Sequence, residues 1–157
     1  MSVSVQAEPF DVAQEMAALT EGNRDIGAVV SFTGLVREMT DAGAITDMTL
    51  EHYPGMTERA LEEIVAQAQG RWPLQAVRLI HRYGPMAPGE GIVLVLTASR
   101  HRKAAFEAAE FLMDYLKTKA PFWKKEQGAT GDAQWVDARD IDDQAAARWD
   151  NDPRESG

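Results

Sequence analysis

Apolar positions along the chain follow two different periods, and the switches between them fall at proline, glycine and aspartate. After Pro9-Phe10-Asp11, residues Val12, Met16 and Leu19 share one helical face; Asp11 is placed to cap the helix and Gln14 lies three residues on. Glu21-Gly22-Asn23 ends that helix. From Ile26 to Arg37 the period drops to two, with Val30, Phe32 and Val36 on one face and Ser31, Thr33 and Arg37 on the other. Gly34 near the end of this strand predicts a bulge or a close backbone approach. A loop is expected over Met39 to Ala44 and a second strand over Ile45 to Tyr53.

Pro54-Gly55 then turns into a helix whose buried stripe is Leu61, Ile64, Val65 and Ala68, with Gly70 as its stop before Trp72-Pro73. Ala76 to Tyr83 alternates again, Val77, Leu79 and His81 against Arg78, Ile80 and Arg82. After the turn Pro88-Gly89-Glu90, the run Gly91 to Ala98 is almost wholly apolar, which predicts a strand buried on both faces. Ser99 is placed to cap a helix from about Arg100 to Lys119, its apolar face carrying Ala105, Phe106, Ala109, Leu112, Met113 and Leu116. Strands follow at Pro121 to Glu126 and Gln134 to Arg139, joined by a Gly-rich loop. The pattern predicts one α+β domain over 1–149, a mixed or antiparallel sheet with packed helices, and a flexible acidic tail over 150–157.

Composition narrows the chemistry. A chain of 157 residues is one core's worth of protein. No apolar run approaches the roughly 18 residues that span a bilayer, and no basic-then-apolar leader opens the chain, so the cytoplasm is the expected compartment. With no cysteine there is neither a disulfide nor a thiolate nucleophile or ligand. His52, His81 and His101 are too dispersed to suggest zinc, and no metal is expected. His52 and His81 fall within strand patterns and read as structural; Tyr53, Trp72, Phe122 and Trp123 read as packing residues.

Charge then picks out a region. The whole chain carries a formal net charge of -9, yet from Arg100 to Glu126 seven cations (100, 102, 103, 117, 119, 124, 125) face four acids (107, 110, 114, 126). A positive island on an acidic protein suits a small anion better than a nucleic-acid backbone. The plain alternative for Lys117 and Lys119 is a solvated helix end whose lysines oppose the dipole favourably. At the helix start, Arg100, His101 and Arg102 oppose the dipole unfavourably, a local conflict that an anion would relieve. Arg37, at a strand end beside a glycine, reads either as a solvated rim or as part of such a site.

The blocks GAVVSFTGLVR (27–37), LEHYPGMTERALEEI (50–64), RWPL (71–74), SRHRKAAFEA (99–108) and MDYLKTKAPFWKKE (113–126), with the weaker WVDAR (135–139), closely resemble the large, catalytic subunit of molybdopterin synthase. The resemblance implies a fold of the α/β-hammerhead type and a sulfurtransferase of molybdenum cofactor biosynthesis. It implies sulfur transfer from the C-terminal thiocarboxylate of a small ubiquitin-like subunit to cyclic pyranopterin monophosphate, forming the dithiolene of molybdopterin. The assembly implied is a homodimer of this chain that takes two small subunits ending in Gly-Gly, a heterotetramer. Sulfur comes from the partner, so no cofactor of the chain's own is expected. By motif, Lys117 and Lys124 fall on the catalytic lysines, Lys117 assigned to acid–base work and Lys124 to the thiocarboxylate end. Arg37, His101, Arg102, Lys125, Glu126 and, less directly, Arg139 fall on the substrate-binding positions. The alternative is a non-catalytic anion-binding scaffold that docks a ubiquitin-like partner.

One geometric tension remains. His101 and Lys117 lie sixteen residues apart on one expected helix, roughly 24 Å at 1.5 Å per residue. A symmetric dimer resolves it, with Lys117, Lys124 and Arg37 of one chain meeting His101 and Arg102, and Arg139, of the other.

Overall fold

The computed structural model describes residues 2–40, 43–128, 133–136 and 140–150. In chain order it comprises β1 (Val3–Gln6), α1 (Val12–Thr20), β2 (Ala28–Leu35), β3 (Met39–Thr40), β4 (Gly43–His52), α2 (Met56–Arg71), β5 (Leu74–Arg82), β6 (Gly84–Met86), β7 (Gly91–Ser99), α3 (Arg102–Lys119), β8 (Phe122–Gly128), β9 (Ala133–Val136) and α4 (Asp140–Asp150). One sheet runs β1-β5-β7-β2, with β1 parallel to β5 and the other pairs antiparallel. The second runs β3-β4-β8-β9, with β6 also paired to β4. The α+β expectation holds.

The first sheet is covered on both faces, and β7 shows why. Val93 and Val95 enter a core with Leu61, Ile64, Val65 and Ala68 of α2 and Ala108, Phe111 and Leu112 of α3. Leu94 and Leu96 point the other way and meet Phe10, Val12, Met16 and Leu19 at α1. A near-continuous apolar strand is what a doubly covered position requires. Truncating any of its fully buried leucines costs about 2–5 kcal/mol. α1 starts as expected, the Gln14 amide donating to Asp11 Oδ1 at 3.0 Å. Gly34 marks a register shift against β7, and a Cβ there would lie 2.8 Å from Val93 Cγ1.

Several local expectations are corrected. Gly70 does not stop α2, which continues through Arg71 until Trp72 turns extended; the buried Trp72 ring against Phe111 supplies packing that outweighs the glycine's poor propensity. Ser99 is the buried last residue of β7, and its hydroxyl donates to the His101 carbonyl; His101 is the N-cap of α3 and makes no side-chain capping bond. Phe106 stands 61% exposed, while Phe111 and Tyr115 take the core positions of α3. Within the expected 39–44 loop, Met39 and Thr40 pair with Ala44 and Gly43 as a short ladder. Helix α4 was not foreseen. Ala146 and Trp149 bury in the main core, and Asp150, expected in the tail, accepts a 2.7 Å hydrogen bond from Tyr115 Oη.

Candidate functional site

The geometry around the C-terminal end of α3 is set by three strand ends. Register pairs His81 of β5 with Val93, and Leu35 of β2 with Gly91, so both strands finish at the same end of the first sheet. α3 packs along this sheet from Ser99 back toward that end, so its last turn carries Lys117 and Lys119 there. The chain leaves α3 through Ala120 into β8, which lies antiparallel to β4 and pairs Phe122 with His52, Trp123 with Glu51, Lys124 with Leu50 and Lys125 with Thr49.

Strand alternation sorts these residues. Phe122 and Lys124 share one face of β8; Trp123 and Lys125 share the other. Phe122 stacks on His81 with ring centroids 3.8 Å apart and planes 19° from parallel, and His52 sits against Tyr83 at 4.5 Å. Lys124 is half-buried beside Leu50, whereas Lys125 and Trp123 are exposed. Leu50 packs with Val36, Met48 and Met86 in a second small core, so Arg37, next in chain after Val36, emerges beside the strand pair that bears Lys124.

The two histidines are part of this end. His81 Nδ1 lies 2.9 Å from the Arg82 carbonyl, which can only accept, so Nδ1 carries the proton and Nε2 the lone pair. Burial, opposed by that hydrogen bond and reinforced by the positive charge of Lys117, holds the His81 pKa down at about 4. Thr57 Oγ1 donates to the Tyr53 carbonyl at 2.9 Å, which uses its one proton; His52 Nδ1, 3.1 Å from the same oxygen, is therefore the donor there. Both reading as structural and lying at the site are true of these residues. Arg82, buried, is structural: it donates to the carbonyls of Ala7 and Gly91. Tyr53 and Trp123, expected as packing residues, are 55% and 48% exposed.

His101 and Arg102 lie at the other end. The first turn of α3 carries no acidic residue, and both side chains are exposed. Nearby, Arg100 reaches Asp25 at 3.6 Å. Arg102 and Lys117 are separated by most of an 18-residue helix, roughly 22 Å of axis. One chain thus brings Arg37, Lys117 and Lys124 to one end and leaves His101 and Arg102 at the other. Glu126 lies on β8 opposite Met48, with its side chain outside the described set, and Arg139 is outside the described residues. Among the described residues no three His, Asp or Glu side chains gather as metal ligands, and no helix is long and apolar enough to cross a membrane.

Sequence reasoning missed Tyr83 and the proximity of His81 to Lys117. The signal available was the His81-Arg82-Tyr83 run at a strand end; its convergence with β8 is a tertiary fact.

Residues 5–119 match the family model described as MoaE protein. The molybdopterin synthase catalytic subunit of Vibrio cholerae is 58% identical over 148 residues, covering 94% of this chain and 97% of that protein. That of Mesorhizobium japonicum is 57% identical over 149 residues, covering 94% and 92%. Among solved structures, the molybdopterin biosynthesis MoaE protein from Burkholderia ambifaria superposes with a TM-score of 0.81 at 49% identity, covering 96% of this chain and 99% of that one. Molybdopterin synthase from Staphylococcus aureus gives 0.80 at 32% identity, covering 87% and 98%. Fold and length agree across these comparisons, and the chain belongs to the MoaE protein family.

Proposed function

We propose that this chain is the catalytic subunit of a molybdopterin synthase, a cytoplasmic sulfurtransferase that receives sulfur from the C-terminal thiocarboxylate of a small ubiquitin-like subunit and installs it on cyclic pyranopterin monophosphate. The observation that carries the reading is the convergence of Lys117 and Lys124 on the half-dry aromatic end around Phe122 and His81, in a chain 58% identical to a molybdopterin synthase catalytic subunit.

The chemistry fits what these side chains can do. Attack by sulfur and loss of the acyl group shift negative charge onto oxygen, and an ammonium fixed nearby stabilises it. Lys117, at the mobile-proton end of the site beside the uncharged His81, is the acid–base residue. Lys124, half-buried, holds the thiocarboxylate end. The partner's Gly-Gly tail approaches along β8 near Phe122 and Trp123, glycine being narrow enough to pass between side chains. Arg37 and Arg102 suit the substrate phosphate, which their planar donor forks match. In this reading the sulfur is carried in by the partner and the chain needs no cofactor of its own.

Because Arg102 and His101 lie roughly 22 and 24 Å along α3 from Lys117, the pocket is completed by a second copy. Reconstitution with thiocarboxylated partner and cyclic pterin, read by fluorescence of oxidised molybdopterin, tests the activity. Mixing Lys117→Ala with Arg102→Ala under subunit exchange, at limiting substrate, tests the sharing: one pocket in each mixed dimer is then intact, and turnover returns. Mixed dimers that form and recover nothing refute the shared site.

A further inference from the structure

At the lysine-bearing end of the molecule four rings join the second sheet to the first. β4 and β8 contribute His52 and Phe122, which face each other across their ladder. β5 contributes His81, and the chain just beyond it Tyr83. Phe122 stacks on His81 at 3.8 Å, while His52 lies 4.5 Å from Tyr83 and 6.1 Å from Phe122. The ladder to β4 fixes β8 within its own sheet. How that sheet is set on the first depends on side chains that cross between them.

Histidine is an unusual choice for this joint. Val77, Leu79 and His81 share one face of β5, and the first two sit in the main core. An aliphatic side chain would fill the third position with no polar edge to satisfy. What the imidazole adds is a fixed plane. Its Nδ1 donates to the Arg82 carbonyl at 2.9 Å, which ties the buried ring by one edge to its own strand. Phe122 then lies against that plane, 19° from parallel. Leucine offers no flat face, and phenylalanine no edge donor.

We infer, on the sulfur-transfer reading above, that His81 is a positioning residue of that site and sets Lys124 through the ring of Phe122. Phe122 and Lys124 stand two residues apart on one face of β8, so the seat of the ring fixes the direction in which the lysine leaves the strand. Lys124 is half-buried, whereas Trp123 and Lys125 on the opposite face are exposed, so packing acts on the face of β8 that turns to His81. The platform is also uncharged. Burial above all, helped by Lys117 of α3 and His52 of β4 and opposed by the Arg82 hydrogen bond, holds its pKa at about 4. A neutral ring orients a neighbouring cation without repelling it.

The lysines of the chain are Lys103, Lys117, Lys119, Lys124 and Lys125, few enough to resolve singly. Reductive dimethylation with labelled formaldehyde gives each a methyl resonance in the NMR spectrum, assigned by Lys→Arg substitution. In the wild-type chain the Lys124 resonance stands apart from that of the exposed Lys125. His81→Leu and Phe122→Leu each move it toward the Lys125 position, and the double variant moves it no further. In turnover with thiocarboxylated partner and cyclic pterin, His81→Leu lowers kcat about 10–10²-fold with KM within about twofold, as displacing a reacting group by about 1 Å requires. His81→Phe restores a stacked face and recovers part of that loss. Phe122 is half-buried and tolerates leucine, so its variant carries both measurements if His81→Leu does not fold. A Lys124 resonance unmoved in the folded variants overturns the inference, as does an unchanged kcat, a loss confined to KM, or a His81→Phe no better than His81→Leu. If the wild-type chain makes no molybdopterin, the sulfur-transfer reading fails instead, and the resonance alone decides whether the stack holds Lys124.

Discussion

The two ends of α3 hold cations in opposite physical settings. At the C-terminal end the helix dipole favours the positive charge of Lys117 and Lys119, and the surroundings are aromatic and half-dry: Phe122 on His81, His52 on Tyr83. At the N-terminal end the dipole opposes the positive charge of Arg102, and both Arg102 and His101 stand in water. Desolvation at the first end changes proton affinities, as the buried His81 shows. Exposure at the second leaves charge for attraction alone. In the proposed reading the same helix separates proton chemistry from anion capture, and a second copy supplies the complementary half of each pocket.

Exchanging a residue at each end separates the two roles. Lys117→Ala lowers turnover by about 10²–10⁴-fold while leaving fold and partner binding intact, because the side chain is exposed; a variant retaining more than about half of wild-type turnover removes Lys117 from the mechanism. Arg102→Ala weakens substrate capture, raising KM about 10-fold or more with a smaller change in kcat, as loss of a charged hydrogen bond of about 1.5–3 kcal/mol requires. If both substitutions act on kcat alone, the division between the ends fails.

Acid titration sharpens the dry end. His81 titrates near 4 in the fold against 6.5 when unfolded, so below 6.5 the unfolded chain binds a proton that the native one refuses. Stability from this group is therefore full above pH 6.5 and lost as pH falls toward 4, by about 3 kcal/mol. Urea unfolding at pH 7 and pH 4 reads it: His81→Gln, though less stable at neutral pH, loses less between the two. Equal losses in both proteins contradict a buried neutral imidazole. The smallest effect is expected at Lys119→Ala, within about twofold of wild-type turnover; its ammonium lies 5.4 Å from the Tyr115 ring centroid, on the side facing α2 and α4.

Much of the fold could be read from periodicity because single elements explain themselves. Asp11 with Val12, Met16 and Leu19 specifies α1, and the unbroken apolar run of β7 announces two covered faces. Misassignments arose where a neighbour decides. Phe106 and Phe111 are equally apolar, and only the position of the sheet edge says which is buried. Ala146 and Trp149 are too sparse a stripe to declare α4, whose place depends on Asp114 accepting from Trp149 Nε1 at 2.7 Å. Motif proposed the site residues, and the length of α3 exposed the separation between Lys117 and Arg102. The closeness of Lys117 to His81 was not legible, because it depends on α3 and β5 ending together.

Helix α4 makes the strand bearing Lys124 part of a closed circuit. The chain leaves α3 at Lys119, runs out through β8 and β9, and returns to the same helix, where Arg148 reaches Glu110 at 2.6 Å and Asp114 at 3.1 Å and Asp150 meets Tyr115. Both ends of this excursion are fastened to one rigid rod, so β8 is tethered twice over. Cutting the return fastening would leave β8 on its ladder to β4 and its exit from α3, without the second anchor through α4. A segment late in the chain thereby adds a second anchor to the strand pair that carries Lys124.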